Sequence, residues 1–265
     1  MVNAREIIDA AAAADGVAPV GEAQLRRLDS ALVLDGAGVA VTDAAGGIAE
    51  LAVHPAHRRR GIGARLLAAV APAKVWAHGD LPAARALAAA AGLAPTRTLL
   101  QMTLADPPAD PGPAPAGLRI EDLPAARARL GAAAVDAAWL AVNNEAFDWH
   151  PEQGGWDAAQ LRRARDTDWF DPAGVLFAVD ADGTIVGFHW TKVHPDGVGE
   201  VYVIGLADAA RGRGAGGWLT RAGLAHLAGR GCRRVILYVE GDNDAAVAVY
   251  RRLGFTVSRR DVLYG

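Results

Sequence analysis

The 265-residue sequence has one cysteine, Cys232, so no intramolecular disulfide can form and a cysteine-rich zinc site is excluded. It lacks any apolar run of membrane-spanning length. The stretch Met1–Pro19 carries acidic residues and an alanine run too short and too weakly apolar for a signal peptide. A soluble, cytoplasmic protein with no membrane partner is expected. Charge of one sign is also missing: 27 Lys and Arg stand against 30 Asp and Glu, a net charge of −3. Despite local arginine clusters, that balance gives no reason to expect a nucleic-acid partner. Aromatics are only 6% of the chain and unevenly placed, with Trp76 alone before residue 105 and every other Trp, Phe and Tyr after the linker described next. Aromatic side chains build shaped pockets, so specificity is expected in the second half.

Proline is concentrated in Ala105–Gly117, which holds five prolines in thirteen residues and can sustain neither a helix nor an interior strand. It reads as a linker, residues 106–117, dividing the chain into 1–105 and 118–265. On both sides of it one pattern occurs. Leu51-Ala-Val-His-Pro-Ala-His-Arg58-Arg-Arg-Gly61-Ile-Gly63 returns as Gly205-Leu-Ala-Asp-Ala-Ala-Arg211-Gly-Arg-Gly214-Ala-Gly216. In each copy an apolar run stops, an Arg-x-x-Gly-x-Gly turn follows, and an apolar-periodic helix begins. Such a loop offers backbone N–H groups and positive charge at a helix start, which suits phosphate or pyrophosphate. It is not a P-loop, because the Gly-Lys-Ser/Thr ending is missing. Nor does it fit the G-x-G-x-x-G of a dinucleotide fold. The repeat continues, with His78–Leu93 aligning without gaps on Glu240–Phe255.

The secondary-structure pattern agrees with tandem copies. Asp180-Ala-Asp-Gly183 marks a hairpin between Leu176–Val179 and Thr184–His194, and Pro195-Asp-Gly197 leads into the strand Glu200–Leu206. A helix over 216–229, a strand Val235–Glu240, a helix 243–253 and a strand 255–264 follow. The first half compresses the same series: strand 48–53, helix 64–70, strand 74–78, helix 83–91 and strand 96–103. Antiparallel strands followed by β-loop-α-β-α-β give an α/β fold with a mixed, mostly antiparallel sheet flanked by helices.

The Arg211-x-x-Gly214-x-Gly216 loop, the strand before it and Asn243-Asp-Ala-Ala-Val-Ala-Val-Tyr250-Arg-Arg-Leu-Gly254-Phe255 together resemble the GCN5-related N-acetyltransferase (GNAT) family. The resemblance covers most of both halves and implies two tandem domains that bind acetyl-CoA. By that resemblance the cofactor-binding positions are Ile204, Gly205, Leu206, Arg211, Gly212, Arg213, Gly214, Ala215, Gly216 and Gly217 with Asn243, Asp244, Ala245, Ala246, Val247 and Ala248. Their first-copy counterparts are Leu51, Ala52, Val53, Arg59, Arg60, Gly61, Ile62, Gly63 and Ala64. A narrower likeness lies in Asp15–Glu22, Val142–Phe147, His150–Trp156, Phe188–His194 and Gly199–Gly205. These segments resemble a tandem-domain branch of the family that acetylates the cysteinyl amine of a cysteine–glucosamine–inositol conjugate, the small-molecule partner so implied.

Acyl transfer to an amine needs a proton acceptor at nitrogen and a donor for the departing thiolate. The resemblance to that branch implies a Glu and a Tyr for these tasks, at the positions of Glu200 and Tyr250. Strand alternation puts Glu200 on one face with Tyr202 and Ile204. In the first copy the gapless partners of Glu200, Tyr250 and Asn243 are Gly47, Ala88 and Leu81, so that copy is expected to be catalytically silent. By residue type alone, Tyr250 reads equally as a packed aromatic beside Phe255, and Glu200 as a solvated strand-end carboxylate. Substrate contacts implied by the resemblance are Glu22, Glu152, Lys192, Glu200 and Tyr238. Glu22 sits in the first half, which implies a pocket between the domains. His150, Glu152, His189 and His194 form no recognised metal-ligand spacing, and no metal is expected. A monomer is expected. Two other readings stay open: a GNAT enzyme acting on a protein N-terminus or another small amine, and a non-catalytic acyl-CoA-binding sensor.

Overall fold

The computed structural model describes residues 3–149 and 153–265. In chain order the first elements are α1 (Ala4–Asp15), α2 (Glu22–Leu25), β1 (Leu32–Leu34), β2 (Gly38–Thr42), β3 (Ile48–Val53), α3 (Ile62–Val70), β4 (Lys74–Ala77), α4 (Pro82–Ala90) and β5 (Pro95–Ala105). There follow β6 (Arg119–Asp122), α5 (Leu123–Leu130), α6 (Ala132–Ala146), α7 (Ala158–Arg165), β7 (Val175–Val179), β8 (Ile185–Val193) and β9 (Gly199–Leu206). The chain ends with α8 (Ala215–Gly229), β10 (Arg234–Glu240), α9 (Asp244–Arg252) and β11 (Thr256–Tyr264).

Two compact units result, and neither is contiguous in sequence. The first takes residues up to Gln101 together with Val239–Asn243 and Ser258–Gly265; the second is Met102–Tyr238 with Asp244–Val257. A cut at the proline-rich segment would assign the final strand to the second half. The backbone ladder instead pairs Val262 with Ala77 and Tyr264 with Val75, antiparallel, inside the first unit.

In the first unit β1, β2 and β3 are antiparallel, and β3 then runs parallel to β4. Parallel neighbours require a crossover, which α3 supplies. The N-terminal helix α1 is set by a capping box. Asn3 Oδ1 accepts from the Glu6 N–H at 2.9 Å, and Glu6 Oε2 accepts from the Asn3 N–H at 3.0 Å. Gly16, at φ 69°, ends the helix in the left-handed conformation that favours glycine. Its Ile7, Ile8 and Ala11 are buried with Val39, Val41 and Ala52.

The second unit repeats this plan with a larger core. Strands β6 to β9 are antiparallel, and β9 is parallel to β10 after the crossover helix α8. One core carries the aromatics: Trp139 of α6 packs edge-on to Trp190 at 5.2 Å and to Phe177 at 5.7 Å. The other lies under α8, where Trp218 and Leu219 meet Leu176, Ala178 and Val186. With both faces covered, every residue from Ile185 to Lys192 is buried.

Candidate functional site

The two Arg/Gly loops are conformational copies. Arg58 and Arg211 are extended, at φ/ψ of −63°/162° and −68°/150°. The next residues, Arg59 and Gly212, take φ of 62° and 72°. Gly61 and Gly214 then open α3 and α8 at an identical 78°/0°. Left-handed backbone costs an arginine more than a glycine, so Arg59 marks a loop whose shape is imposed by its surroundings. Neither helix start has a side-chain cap, and Arg59, Arg60, Gly61 and Arg211–Gly214 are exposed. Both helix starts thus lack a side-chain cap and follow directly on exposed, arginine-bearing loops, an arrangement suited to an anion.

The motif arginines themselves serve the loop. Arg58 makes a bidentate pair with Asp15, 2.7 Å on each arm, and reaches the Val53 carbonyl at 3.3 Å. Arg211 pairs with Asp208 at 2.8 Å. Arg59 and Arg60 in the first unit, and Arg213 in the second, are the loop cations outside those pairs.

Beside each loop the strands part. The parallel ladder of β9 with β10 runs from Gly199–Val235 to Val201–Leu237, after which Tyr202–Leu206 continue. That of β3 with β4 runs from Ile48–Lys74 to Glu50–Trp76, leaving Leu51–Val53 beyond it. Peptide groups on such an edge can pair with the amides of an extended ligand. Ile204, Gly205, Leu206 and Leu51, Ala52, Val53, expected from the sequence to bind the cofactor, lie on these open stretches of strand. The missing Cβ of Gly205 has a packing reason as well, since one would meet Phe188, Ala146 and Phe147 at 2.8–3.3 Å. Ala215, Gly216 and Gly217 form the first turn of α8, and Asp244–Ala248 that of α9. Asn243 groups with the first unit, its N–H donating to the Glu240 carbonyl at 3.1 Å. In the first unit a cavity of about 750 Å³ is lined by Val53, Arg59, Gly61, Ile62, Gly63 and Ala88, among others.

The second unit differs from the first by a β-bulge. Trp190 pairs with Val203 but Thr191 with Val201, so Tyr202 is an extra residue. Tyr202 and Val203 consequently both pack toward the Trp139–Trp190 core, while Ile204 packs with Leu206 under α8. Simple alternation had placed Ile204 on the face of Glu200 and Tyr202; the bulge reverses it. The β2–β3 ladder of the first unit runs without such a break.

Glu200 is 7% exposed, and its Oε2 lies 2.6 Å from His194 Nε2. It is thus no solvated strand-end carboxylate. Lys192, 8% exposed, stands opposite it in the β8–β9 register, with its ammonium 5.0 Å from the Trp169 ring and 5.9 Å from that of Tyr202. Tyr250 is buried in α9, edge-on to Phe255 at 5.9 Å. Burial pushes its phenol up to about 12, so the hydroxyl keeps its proton throughout the neutral range. Tyr238 on β10 is 39% exposed. Glu22 opens α2 in the first unit. Glu152 lies outside the described residues.

One cluster escaped the sequence reading. In the first unit Glu50, 3% exposed, accepts the Gly21 N–H at 2.6 Å and lies 3.2 Å from His78 Nε2. His78 Nδ1 is 3.2 Å from Asp261 of β11. Burial alone would push the imidazole down, but Asp261 and Glu50 outweigh it and raise it to about 9. Gapless alignment left this copy without a carboxylate at the Glu200 position; Glu50 is a carboxylate nearby, bound to His78 and a backbone amide. The signal was a lone acidic residue in the otherwise apolar Ile48–Val53. Among the described residues no His, Cys, Asp and Glu group could hold a metal ion.

The model of the acetyltransferase (GNAT) family matches residues 139–255, and a second GNAT acetyltransferase domain model matches residues 11–93. A mycothiol acetyltransferase of Corynebacterium efficiens is 51% identical over 86% of this chain and 76% of its own. One of Mycolicibacterium vanbaalenii is 47% identical over 98% of this chain and 92% of its own. Among solved structures, a GCN5-related N-acetyltransferase from Sphaerobacter thermophilus superposes with a TM-score of 0.69 at 25% identity, over 97% of this chain and 89% of that one. A tandem GNAT protein from the clavulanic acid biosynthesis pathway has the same fold, with a TM-score of 0.66 at 20% identity over 99% and 95%. With both halves matched by GNAT models and relatives this similar along nearly its whole length, the chain belongs to the GNAT acetyltransferases and, within them, to the mycothiol acetyltransferases.

Proposed function

We propose that the protein transfers the acetyl group of acetyl-CoA to the cysteinyl amine of a cysteine–glucosamine–inositol conjugate, forming mycothiol. The observation that carries this reading is near-full-length identity of 47% to a mycothiol acetyltransferase, together with a buried carboxylate and a buried phenol in one unit. Both substrates are water-soluble, and the reaction is placed in the cytoplasm.

In this mechanism the α8 N-terminus and its arginines hold the pyrophosphate, and the open edge of β9 holds the pantetheine arm. Glu200 takes a proton from the substrate ammonium; the N–H bond breaks and its electron pair stays on nitrogen. The neutral amine attacks the thioester carbonyl. The resulting oxyanion is held by backbone N–H groups where β9 leaves β10 and the Tyr202 bulge interrupts its ladder to β8. As the C–S bond breaks, Tyr250 gives its phenolic proton to sulfur and regains one from the amide nitrogen. Lys192, Tyr238, Glu22 and Glu152 are assigned to the polar conjugate, whose hydroxyls and ammonium require donors and carboxylates.

The first unit is assigned an acetyl-CoA site without chemistry. Its loop copies the second one, but Ala88 stands at the Tyr250 position, Glu50 is held by His78 and Gly21, and the β2–β3 ladder has no bulge. The test is incubation with acetyl-CoA and the cysteinyl conjugate, followed by mass spectrometry. A product one acetyl heavier is expected; no product, with turnover on a peptide N-terminus or another amine instead, would displace this reading.

A further inference from the structure

The hairpin between β8 and β9 fixes the backbone of one more residue beside Glu200. The His194 N–H donates to the Val198 carbonyl at 2.8 Å, and the Gly197 N–H donates to the His194 carbonyl at 2.9 Å. Gly197 takes φ 80°, which closes the turn tightly. His194 therefore leaves β8 from a rigid corner, and its ring folds back along the sheet so that Nε2 lies 2.6 Å from Glu200 Oε2. The His194 side chain is 20% exposed and that of Glu200 9%.

A buried carboxylate that loses its water needs donors to replace it. Lys192, the cross-strand partner of Glu200, holds its ammonium over Trp169 and Tyr202. On the β10 side the register neighbour is Ile236, and the next residue on the same face of β9 is Tyr202. His194 is thus the imidazole aimed at the carboxylate.

Resting on the assignment of Glu200 as the proton acceptor, we propose that His194 is its positioning residue. Donation from Nε2 fixes Oε2 and stops rotation of the carboxylate about its last bond. Oε1 is then left to receive the proton from the substrate nitrogen. Without that donor the carboxylate samples several orientations, and only some of them face the amine.

The experiment measures kcat and both KM values for the full chain as wild type, His194→Leu, His194→Asn and His194→Gln, each with Glu200 and with Glu200→Gln. Losing a hydrogen bond to a charged group should lower kcat by about 10- to 100-fold in His194→Leu, with KM for acetyl-CoA unchanged. Gln, whose amide reaches where Nε2 lies, should recover most of the rate. Asn, well tolerated in turns but one bond too short, should fall with Leu. In the Glu200→Gln background all His194 variants should agree within about twofold, because the group being positioned is gone. Wild-type kcat in both His194→Leu and His194→Asn would overturn the proposal, as would equal losses with and without Glu200, or no recovery with Gln. A near-normal rate for Glu200→Gln alone would sink instead the assignment on which it rests.

Discussion

Replacing His78 with Gln should weaken the first unit in a way that depends on pH. The folded ring titrates near 9, against 6.5 for the free side chain, because Asp261 and Glu50 outweigh its burial. A group raised on folding stabilises fully below its unfolded value and loses that contribution as pH rises through its folded value. The difference is worth about 3 kcal/mol below pH 6, about 2 to 3 kcal/mol at pH 7, and almost nothing at pH 10. Asp261 works in the opposite sense: burial would raise it, but His78, the Gly79 amide and Arg259 hold it below the usual carboxylate range. Its share is lost toward low pH. His78→Gln keeps a neutral polar side chain between the carboxylates but removes the charge. Urea unfolding followed by circular dichroism, for wild type and variant from pH 6 to 10, isolates the term by difference. The stability gap should be about 2 to 3 kcal/mol at pH 7 and should close by pH 10. A variant as stable as wild type at pH 7, or a gap that persists unchanged at pH 10, would refute the charged-histidine account.

Other consequences concern the loops and the core. Arg59→Ala with Arg60→Ala should reduce acetyl-CoA bound in calorimetry from two equivalents to one while turnover stays within about twofold. A tenfold loss of turnover would contradict a silent first unit. Arg58→Ala is a poorer probe of phosphate binding because its guanidinium is paired with Asp15. Gly223→Ala should destabilise the second unit by about 1–3 kcal/mol or more, because the new Cβ would overlap the His189 ring. That ring is fully buried and held by the Leu219 carbonyl at 3.0 Å. An unchanged melting temperature would show that α8 can shift away from β8 at no cost.

The parts legible in the sequence were those encoded locally. The Arg/Gly loops carry glycines at fixed spacing, and Gly61 and Gly214 took the same left-handed dihedral angles at the two helix starts. The hairpins at Asp180–Gly183 and Pro195–Gly197 were marked by turn residues, and the helix expected from residue 216 begins one residue earlier, at Ala215. What was not legible depends on pairings made across the fold. The Tyr202 bulge is a register property of two strands, so alternation within β9 could not reveal it. The Glu50–His78–Asp261 cluster draws on three distant positions, and the docking of β11 on β4 is likewise non-local. Helix α1 was missed for another reason. Its alanines hid the Asn3–Glu6 capping box and the spacing of Ile7, Ile8 and Ala11. His194 looked like a stray histidine until the hairpin brought it to Glu200.

The most direct test of the division of labour between the units is the single-turnover rate of acetyl transfer to the cysteinyl conjugate by Tyr250→Phe and Glu200→Gln. Phe keeps the ring against Phe255 and removes only the phenolic hydroxyl proposed as proton donor; Gln keeps the shape of Glu200 and removes only its basicity. Each should lower the rate by about 10²- to 10⁴-fold with acetyl-CoA binding intact. Near-normal rates in both variants would contradict the account.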